Sequence, residues 1–308
     1  MVNIGLISAF LFYSIILVWF FKTRKKWDVH GILALYRTRI GLKFMDSFAK
    51  KFPRTLRFTG YVGAVVGFIG MLITFILLIK SALDLFLVEG APPGFAPVLP
   101  YVPIPGFPAL SFWHWLIGIF VLAVVHEFAH GILARVHNLP VKNSGFGFLG
   151  PILLAFVEPD EKRMLKASKK AQLSVYAAGP FSNFIFALLF ILILSFIITP
   201  IYLSSSINGV KINEFVEGYS AERSGLELPF IITEVNGVKL TDRRSYMDSF
   251  GNIKPGEIVK LGTDQGEFSI ETKISPSDPE RGFIGIKGEE FSSSGVWDQF
   301  LRWIHLLF

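Results

Sequence analysis

The sequence contains no cysteine, and charged residues are scarce for a chain of 308 residues. The missing cysteine excludes a disulfide framework, a thiolate nucleophile and any metal site built from thiolates. A metal ion must therefore be held by His, Asp or Glu side chains. Charged residues make up 18% of the chain and hydrophobic residues 52%, whereas about a quarter of the residues in a soluble domain are charged. This composition predicts a membrane protein.

The net charge of +6 is distributed unevenly along the chain. Residues 22–58 hold 11 Lys and Arg but only two acidic residues, whereas residues 85–110 hold no Lys or Arg. Basic loops beside apolar spans follow the positive-inside rule, which places those loops in the cytoplasm. We therefore expect a protein of the cell membrane, in contact with the lipid bilayer and without a nucleic-acid partner.

Four apolar runs are long enough to cross a bilayer of roughly 30 Å. Positive charges follow the first run, which is the reverse of a cleaved signal peptide, so the N-terminus is expected outside. The first run and a basic, partly amphipathic segment on anionic lipid make up residues 1–58. The other three runs belong to a membrane core, residues 59–205. The four runs cover about residues 4–21, 61–86, 112–136 and 173–201.

Beyond the fourth run, a less apolar stretch predicts a small extramembrane α+β domain over residues 206–290. A helix is predicted over residues 241–250, with Thr241 as its N-cap. A fifth apolar run, residues 297–308, is too short to cross a bilayer. It predicts a further span cut short at Phe308, with a terminal surface helix as the alternative. The predicted strands are residues 210–215, 230–235, 258–261, 268–274 and 283–287.

Residues 126–130 read His-Glu-Phe-Ala-His and lie inside the third apolar run. On a helix, positions i and i+4 share one face, so His126 and His130 can both reach one zinc ion. Glu127 projects beside them, where it can take a proton from a zinc-activated water. Two imidazoles and a carboxylate are costly inside a membrane, which favours a functional site over a buried His–Glu pair that only joins two spans.

A catalytic zinc ion takes three protein ligands and keeps one position open. The chain offers two convincing ligands, so the third is expected beyond Phe308 unless an acidic loop residue provides it. The remaining histidines are expected not to bind zinc, although His137 shares the face of His130, because it lies about 10 Å further along a continuous helix. The acidic candidates are Asp84, Glu89, Glu158 and Asp160; the other excluded histidines are His30, His114 and His305.

Three segments, in order, resemble the site-2 protease family, particularly its archaeal members. Residues 126–130 match the zinc-binding helix of the family, and residues 178–183, Ala-Gly-Pro-Phe-Ser-Asn, match its Gly-Pro-x-x-Asn segment. Residues 155–161 resemble the stretch that links the two. The resemblance covers nearly the whole chain. It implies a zinc-dependent endopeptidase that cleaves transmembrane segments of other membrane proteins in regulated intramembrane proteolysis.

The resemblance also assigns roles outside the helix motif. Gly145 and Gly147 are expected in a membrane-embedded β-hairpin whose edge pairs with an unwound substrate segment. Asn183 is expected to face the metal and to bind the substrate backbone or the oxyanion. For the two glycines the alternative is a plain Gly-rich turn, and for Asn183 it is a helix–helix hydrogen bond. Family members take the third ligand from an Asp in a Leu-Asp-Gly motif, which this sequence lacks.

Residues 206–290 resemble a PDZ domain, because residues 220–226 and 231–237 fit the pattern of protease-linked PDZ domains. The expected fold is therefore a polytopic α-helical membrane protein with a membrane-embedded β-hairpin and a PDZ-like extramembrane domain. That domain is expected outside the cell, and the zinc site toward the cytoplasm, because His126 lies about 20 Å into its span. The alternative function is a catalytically incomplete adaptor that binds partners through the PDZ-like domain. An unrelated metalloprotease is less favoured, given residues 178–183.

Overall fold

A computed structural model describes residues 4–88, 91, 97–102, 110–276 and 278–290. The chain divides into two compact units, Met1–Leu189 and Phe190–Phe308. Three predictions lie outside the described residues: the fifth span, the acidic candidate Glu89, and His305, which is expected not to bind zinc. Each unit is described by itself below.

The first unit contains three of the four long apolar helices, the fourth as far as Leu189, and a four-stranded sheet. Proline at the first position of the second long helix suits a helix start, because an N–H at that position would have no partner within the helix. The elements are α1 (Ile4–Thr23), β1 (Trp27–His30), β2 (Leu33–Thr38), α2 (Leu42–Lys51), α3 (Pro53–Leu87), α4 (Phe112–Val136), β3 (Val141–Leu149), β4 (Ile152–Pro159), α5 (Glu161–Lys166) and α6 (Lys169–Ile193).

The four long helices, α1, α3, α4 and α6, carry their apolar side chains on the outside. The most apolar stretch of each has a mean hydropathy of 1.9 to 2.9, yet at most 17% of that stretch is buried. Apolar surface of this extent is stable in lipid but not in water. The chain is therefore a multi-pass membrane protein, as its composition predicted.

Two close contacts place α6 against its neighbours α3 and α4. A Cβ atom added at Gly60 of α3 would meet the side chains of Ser174 on α6 and Leu133 on α4, and one at Gly63 would meet the ring of Phe181. Small residues let helix backbones approach closely in a membrane. This packing brings residues 175–183 of α6 to the histidine face of α4.

The sheet of the first unit has the order β1-β2-β3-β4, with every neighbouring pair antiparallel. The hairpin of β1 and β2 was not predicted, since residues 27–58 were expected to form one basic, partly amphipathic segment. Its turn contains Gly31 at φ 60°. Aromatic rings then cover one face of the sheet, with Trp27 to Tyr36 at 5.1 Å and Tyr36 to Phe146 at 5.3 Å between centroids. Long-range aromatic packing therefore decides this hairpin.

The second unit contains a five-stranded antiparallel path with the order β12-β5-β6-β8-β9 and one added strand, β7, on β6. Its core includes the fully buried Ile212, Phe230, Ile232 and Leu261. The elements are α7 (Thr199–Leu203), β5 (Val210–Phe215), β6 (Phe230–Val235), β7 (Val238–Lys239), α8 (Arg243–Gly251), β8 (Ile258–Thr263), β9 (Gly266–Glu271), β10 (Lys273–Ile274), β11 (Gly282–Phe283) and β12 (Ile286–Glu290).

The predicted helix of the second unit begins later than expected, and its N-cap is Asp242 rather than Thr241. The Asp242 side chain accepts from the Ser245 N–H at 2.7 Å, and the Ser245 hydroxyl oxygen accepts from the Asp242 N–H. This reciprocal capping box satisfies two otherwise unpaired donors at the helix start. The predicted strands 268–274 and 283–287 are each divided into two shorter strands in the structure.

Candidate metal centre

One turn of α4 brings the imidazole rings of His126 and His130 together. Their ring centroids lie 4.8 Å apart, with the ring planes inclined by 73°. Both side chains are half-buried. The i, i+4 spacing read from the sequence therefore produces the paired imidazoles that it predicted.

The ring of His130 is oriented by a main-chain carbonyl on α6. Its Nδ1 lies 2.6 Å from the carbonyl oxygen of Val175. A carbonyl oxygen can only accept, so Nδ1 carries the proton and Nε2 keeps its lone pair. A hydrogen bond of this kind fixes the ring and the tautomer of metal-binding histidines.

The ring of His126 has its partner in Asn183. Nδ1 of His126 lies 3.3 Å from the amide nitrogen Nδ2 of Asn183. The amide oxygen Oδ1 of Asn183 is buried without a hydrogen-bond partner. Turning the amide by 180° places Oδ1 against Nδ1–H of His126 and moves the amide nitrogen to the unpaired position, so that Nε2 of His126 keeps its lone pair for a metal ion. We therefore assign Asn183 this flipped orientation.

The two Nε2 atoms converge on Gly179 of α6. A Cβ atom added at Gly179 would meet Nε2 of both His126 and His130. A side chain at this position would fill the space that both lone pairs face. The residues present therefore fit a metal ion held by two imidazoles, with glycine leaving the room for it.

Glu127 is held at the same site by the edge of the sheet. The backbone N–H of Val157 on β4 donates to Oε2 of Glu127 at 3.0 Å. Because one oxygen is held by the main chain, the second carboxylate oxygen remains able to take or give a proton. The sequence could not indicate this contact, since Val157 contributes only its backbone.

Within the described ranges, no group of three His, Asp or Glu side chains could hold a metal ion. The acidic candidates that the structure describes have other partners. Asp84 pairs with Lys80 at 2.6 Å, and Glu158 accepts from Arg37 and Asn143, each at 2.9 Å. Asp160 caps α5 by accepting from the Arg163 N–H at 3.1 Å.

The hydrogen bond that caps α5 also affects the acidity of the Asp160 carboxyl. The backbone N–H of Arg163 holds the pKa of the Asp160 carboxyl below its ordinary value, and the ammonium of Lys142 acts in the same direction. A charged Asp suits the start of a helix. Its hydrogen bond thus stabilises the turn after β4 rather than a metal ion.

The other described histidines have partners outside the paired imidazoles. Nε2 of His137 lies 3.1 Å from the hydroxyl of Ser174, and Nδ1 of His114 lies 2.5 Å from that of Ser111. His30 pairs with Asp28 at 3.0 Å. That none of the three binds the metal ion stays a prediction.

Gly145 and Gly147 lie in β3, an interior strand paired on both sides. Gly145 is opposite Arg37 on β2 and Phe156 on β4. A Cβ atom at Gly145 would meet the carbonyl oxygen of Tyr36, so glycine permits this close approach. The edge strands of the sheet are β1 and β4, and β4 is the one that holds Glu127. The role of both glycines in substrate binding stays a prediction.

Replacing Asn183 by Leu is expected to weaken zinc binding about 10- to 100-fold, the usual effect of losing a residue that orients a metal-binding histidine. Replacing it by Asp retains an acceptor for Nδ1–H of His126 and should preserve most of the affinity. Zinc dissociation constants of the purified variants measure this difference. Equal weakening by Leu and Asp would contradict the flipped amide.

Comparison with known proteins identifies the family. Residues 114–301, more than half of the chain, match the model of Peptidase family M50. An uncharacterized protein of Methanocaldococcus jannaschii is 26% identical over 281 residues, which cover 89% of this chain and 71% of that protein. The matched range contains the paired imidazoles, Glu127 and Gly179. The chain therefore belongs to peptidase family M50, the site-2 protease family of metalloproteases.

Proposed function

We propose that this protein is a zinc-dependent endopeptidase that cleaves within membrane-spanning segments of other membrane proteins. The observation that carries the proposal is the convergence of Nε2 of His126 and His130 on Gly179, with Glu127 beside them on α4. The site lies on a helix whose apolar surface suits a bilayer. Ionisable groups at such a depth are functional-site candidates because their burial is costly.

The residues of the site have separate roles in this proposal. His126 and His130 hold the zinc ion, which when bound supplies Lewis-acid activation of water and of the scissile carbonyl. Glu127 takes the proton from the attacking water and gives it to the leaving amine. Asn183 and the Val175 carbonyl keep the imidazoles in the tautomer that binds metal. The third ligand comes from outside the described residues.

The substrate segment is proposed to bind as an added strand on β4. The N–H of Val157 points away from β3, so by the alternation of an antiparallel pair the backbone groups of Leu153 and Ala155 also face the free edge. A membrane helix shields its peptide bonds, and an extended segment exposes them. Strand addition to β4 therefore places an unwound peptide next to Glu127.

Residues 206–290 of the second unit are proposed to be a PDZ-like domain outside the cell, and the paired imidazoles are proposed to lie toward the cytoplasm. Four spans return the chain to the side of its N-terminus, and the basic segments 22–58 and 161–170 then share the cytoplasmic side. A domain so placed can hold back substrates with large outer domains, which would confine cleavage to trimmed substrates.

One observation favours the adaptor alternative as a second candidate. A cavity of about 490 Å³ lies in the second unit, with Tyr246 and Phe250 of α8 and Ile286 of β12 in its lining. Strand β12 is an edge strand beside this cavity. An extended peptide could add to that edge and place side chains in the cavity. This candidate predicts peptide binding that is independent of zinc.

The proposed zinc site can be tested without a substrate. Cobalt(II) or zinc titration of the purified full-length protein should give binding that His126→Ala and His130→Ala each reduce to background. The matched control is His30→Ala, because the side chain of His30 is 67% exposed and pairs with Asp28. The absorption bands of cobalt(II) report imidazole coordination directly. Unchanged binding in the two α4 variants would overturn the site and leave the adaptor alternative.

A further inference from the structure

Two adjoining cavities open where the basic ends of the spans meet, and we call them together the Arg57 cleft. Their volumes are about 540 Å³ and 380 Å³, and both are lined by Arg57, Asn138, Leu139 and Arg163. Arg57 lies in the first turns of α3, and Asn138 and Leu139 follow the end of α4 at Val136. The cleft is therefore at the level where a span leaves the bilayer.

The charge of the Arg57 cleft is positive and is not neutralised by the protein. Asp46 pairs with Arg135 at 2.8 Å, and Asp160 with Lys142 at 3.3 Å. The cleft also contains Lys50 and Lys166. Across the part of the chain that the structure describes, no carboxylate forms an ion pair with Lys50, Arg57, Arg163 or Lys166.

The donors of the cleft suit an anion of phosphate type. One guanidinium nitrogen of Arg57, Nη2, donates to the carbonyl oxygen of Val136 at 3.3 Å, which anchors the side chain over the end of α4. The guanidinium has five N–H donors, so others remain for a ligand. Ser168 and Ala171, at the start of the long helix α6, line the cleft as well, where the helix dipole favours negative charge.

Apolar side chains next to the cations favour a lipid over a free anion. Phe58, which follows Arg57, is 68% exposed, and Leu165, which precedes Lys166, is 71% exposed. An isolated phosphate has no apolar group that could contact these side chains. They are covered if the phosphate belongs to a lipid whose acyl chains lie along α3.

We propose that the Arg57 cleft binds the phosphate headgroup of an anionic phospholipid. The bound lipid joins the start of α3, the end of α4 and the helix α5, which follows the edge strand β4. The cations act as a specific site rather than as a diffuse surface charge. The lipid thereby stabilises the helix ends that support the paired imidazoles.

The test compares lipid binding by two doubly substituted proteins in native mass spectrometry of the full-length chain. Arg163→Gln with Lys166→Gln should bind phosphatidylglycerol about 30-fold more weakly, since each basic residue at an anionic surface contributes roughly fivefold. Lys239→Gln with Lys260→Gln removes the same charge from exposed residues of the second unit that do not line the cleft and should bind it like the unmodified protein. Phosphatidylcholine should bind weakly to all three.

Several outcomes would overturn the proposal. One is an equal loss in both double variants, which would mean diffuse charge attraction. Another is displacement of phosphatidylglycerol by inorganic phosphate at millimolar concentration, which would mean a free-anion site. The charge-retaining pair Arg163→Lys and Lys166→Arg should keep lipid binding, and its failure would show that charge does not determine the site. Thermal unfolding of every variant checks that the fold is intact.

Discussion

Replacing Glu127 by Gln should reduce cleavage of a transmembrane substrate about 10²- to 10⁴-fold while zinc affinity stays unchanged. A positioned general base contributes about this much to catalysis. Gln keeps the size of the side chain, and its amide oxygen can still accept from the Val157 N–H that holds Glu127 in the structure. The change therefore removes the proton-transfer group and leaves its hydrogen bond intact. Cleavage rates under single-turnover conditions, with zinc bound, measure the loss.

The matched control for this prediction is Glu161→Gln. Glu161 is an exposed carboxylate in the first turn of α5. It is close to β4 in the chain but is not part of the proposed metal site. Its substitution should leave cleavage within about twofold, as expected for a surface residue without a catalytic role. Retention of nearly full activity in Glu127→Gln would refute the general-base role. Loss of zinc from that variant would instead assign Glu127 to metal binding.

Replacing Gly179 by Ala should abolish zinc binding although every ligand remains. The added methyl group would occupy the space faced by Nε2 of His126 and His130. The His130 ring is anchored at Nδ1 by Val175, so it cannot rotate away without losing that hydrogen bond. We expect zinc affinity to fall more than about 100-fold, beyond the usual effect of substituting a residue that only orients a ligand.

Helix stability separates this effect from damage to the fold. Ala is about 1 kcal/mol better than Gly inside a helix, so Gly179→Ala should not weaken α6 itself. Gly70→Ala is the control, because a Cβ atom at Gly70 of α3 would meet nothing within 4 Å among the described residues beyond its own helical turns. Zinc titration and thermal unfolding should show a selective loss of metal in the first variant and no change in the second. Full zinc affinity in Gly179→Ala would place the metal elsewhere.

The composition and spacing of residues alone predicted several features of this protein. The excess of apolar residues and the length of the runs indicated the spans, since each must cross a bilayer within one helix. The span predicted over residues 112–136 has those bounds in the structure. The i, i+4 pair of histidines is a local pattern, because one helical turn fixes which side chains share a face. The same holds for the strands at residues 210–215 and 230–235.

Other boundaries depended on competition between neighbouring residues. The start of α8 moved from Thr241 to Asp242 because the Asp242 carboxylate and Ser245 satisfy each other's backbone donors. The hairpin of β1 and β2 depends on β3, more than 100 residues later in the chain. A local reading of a basic segment contains no information about such a partner.

The sequence by itself determined that this chain enters a membrane and that His126, Glu127 and His130 lie together on one of its helices. Only the tertiary structure decided how those side chains are held. Val175 and Val157 act through backbone atoms, which any other residue except proline would also supply. Gly179 acts through the side chain that it lacks. Packing of α6 and β4 against α4 brings these groups to the imidazoles and the carboxylate, and contacts across such distances in the chain are set by three-dimensional packing rather than by local spacing.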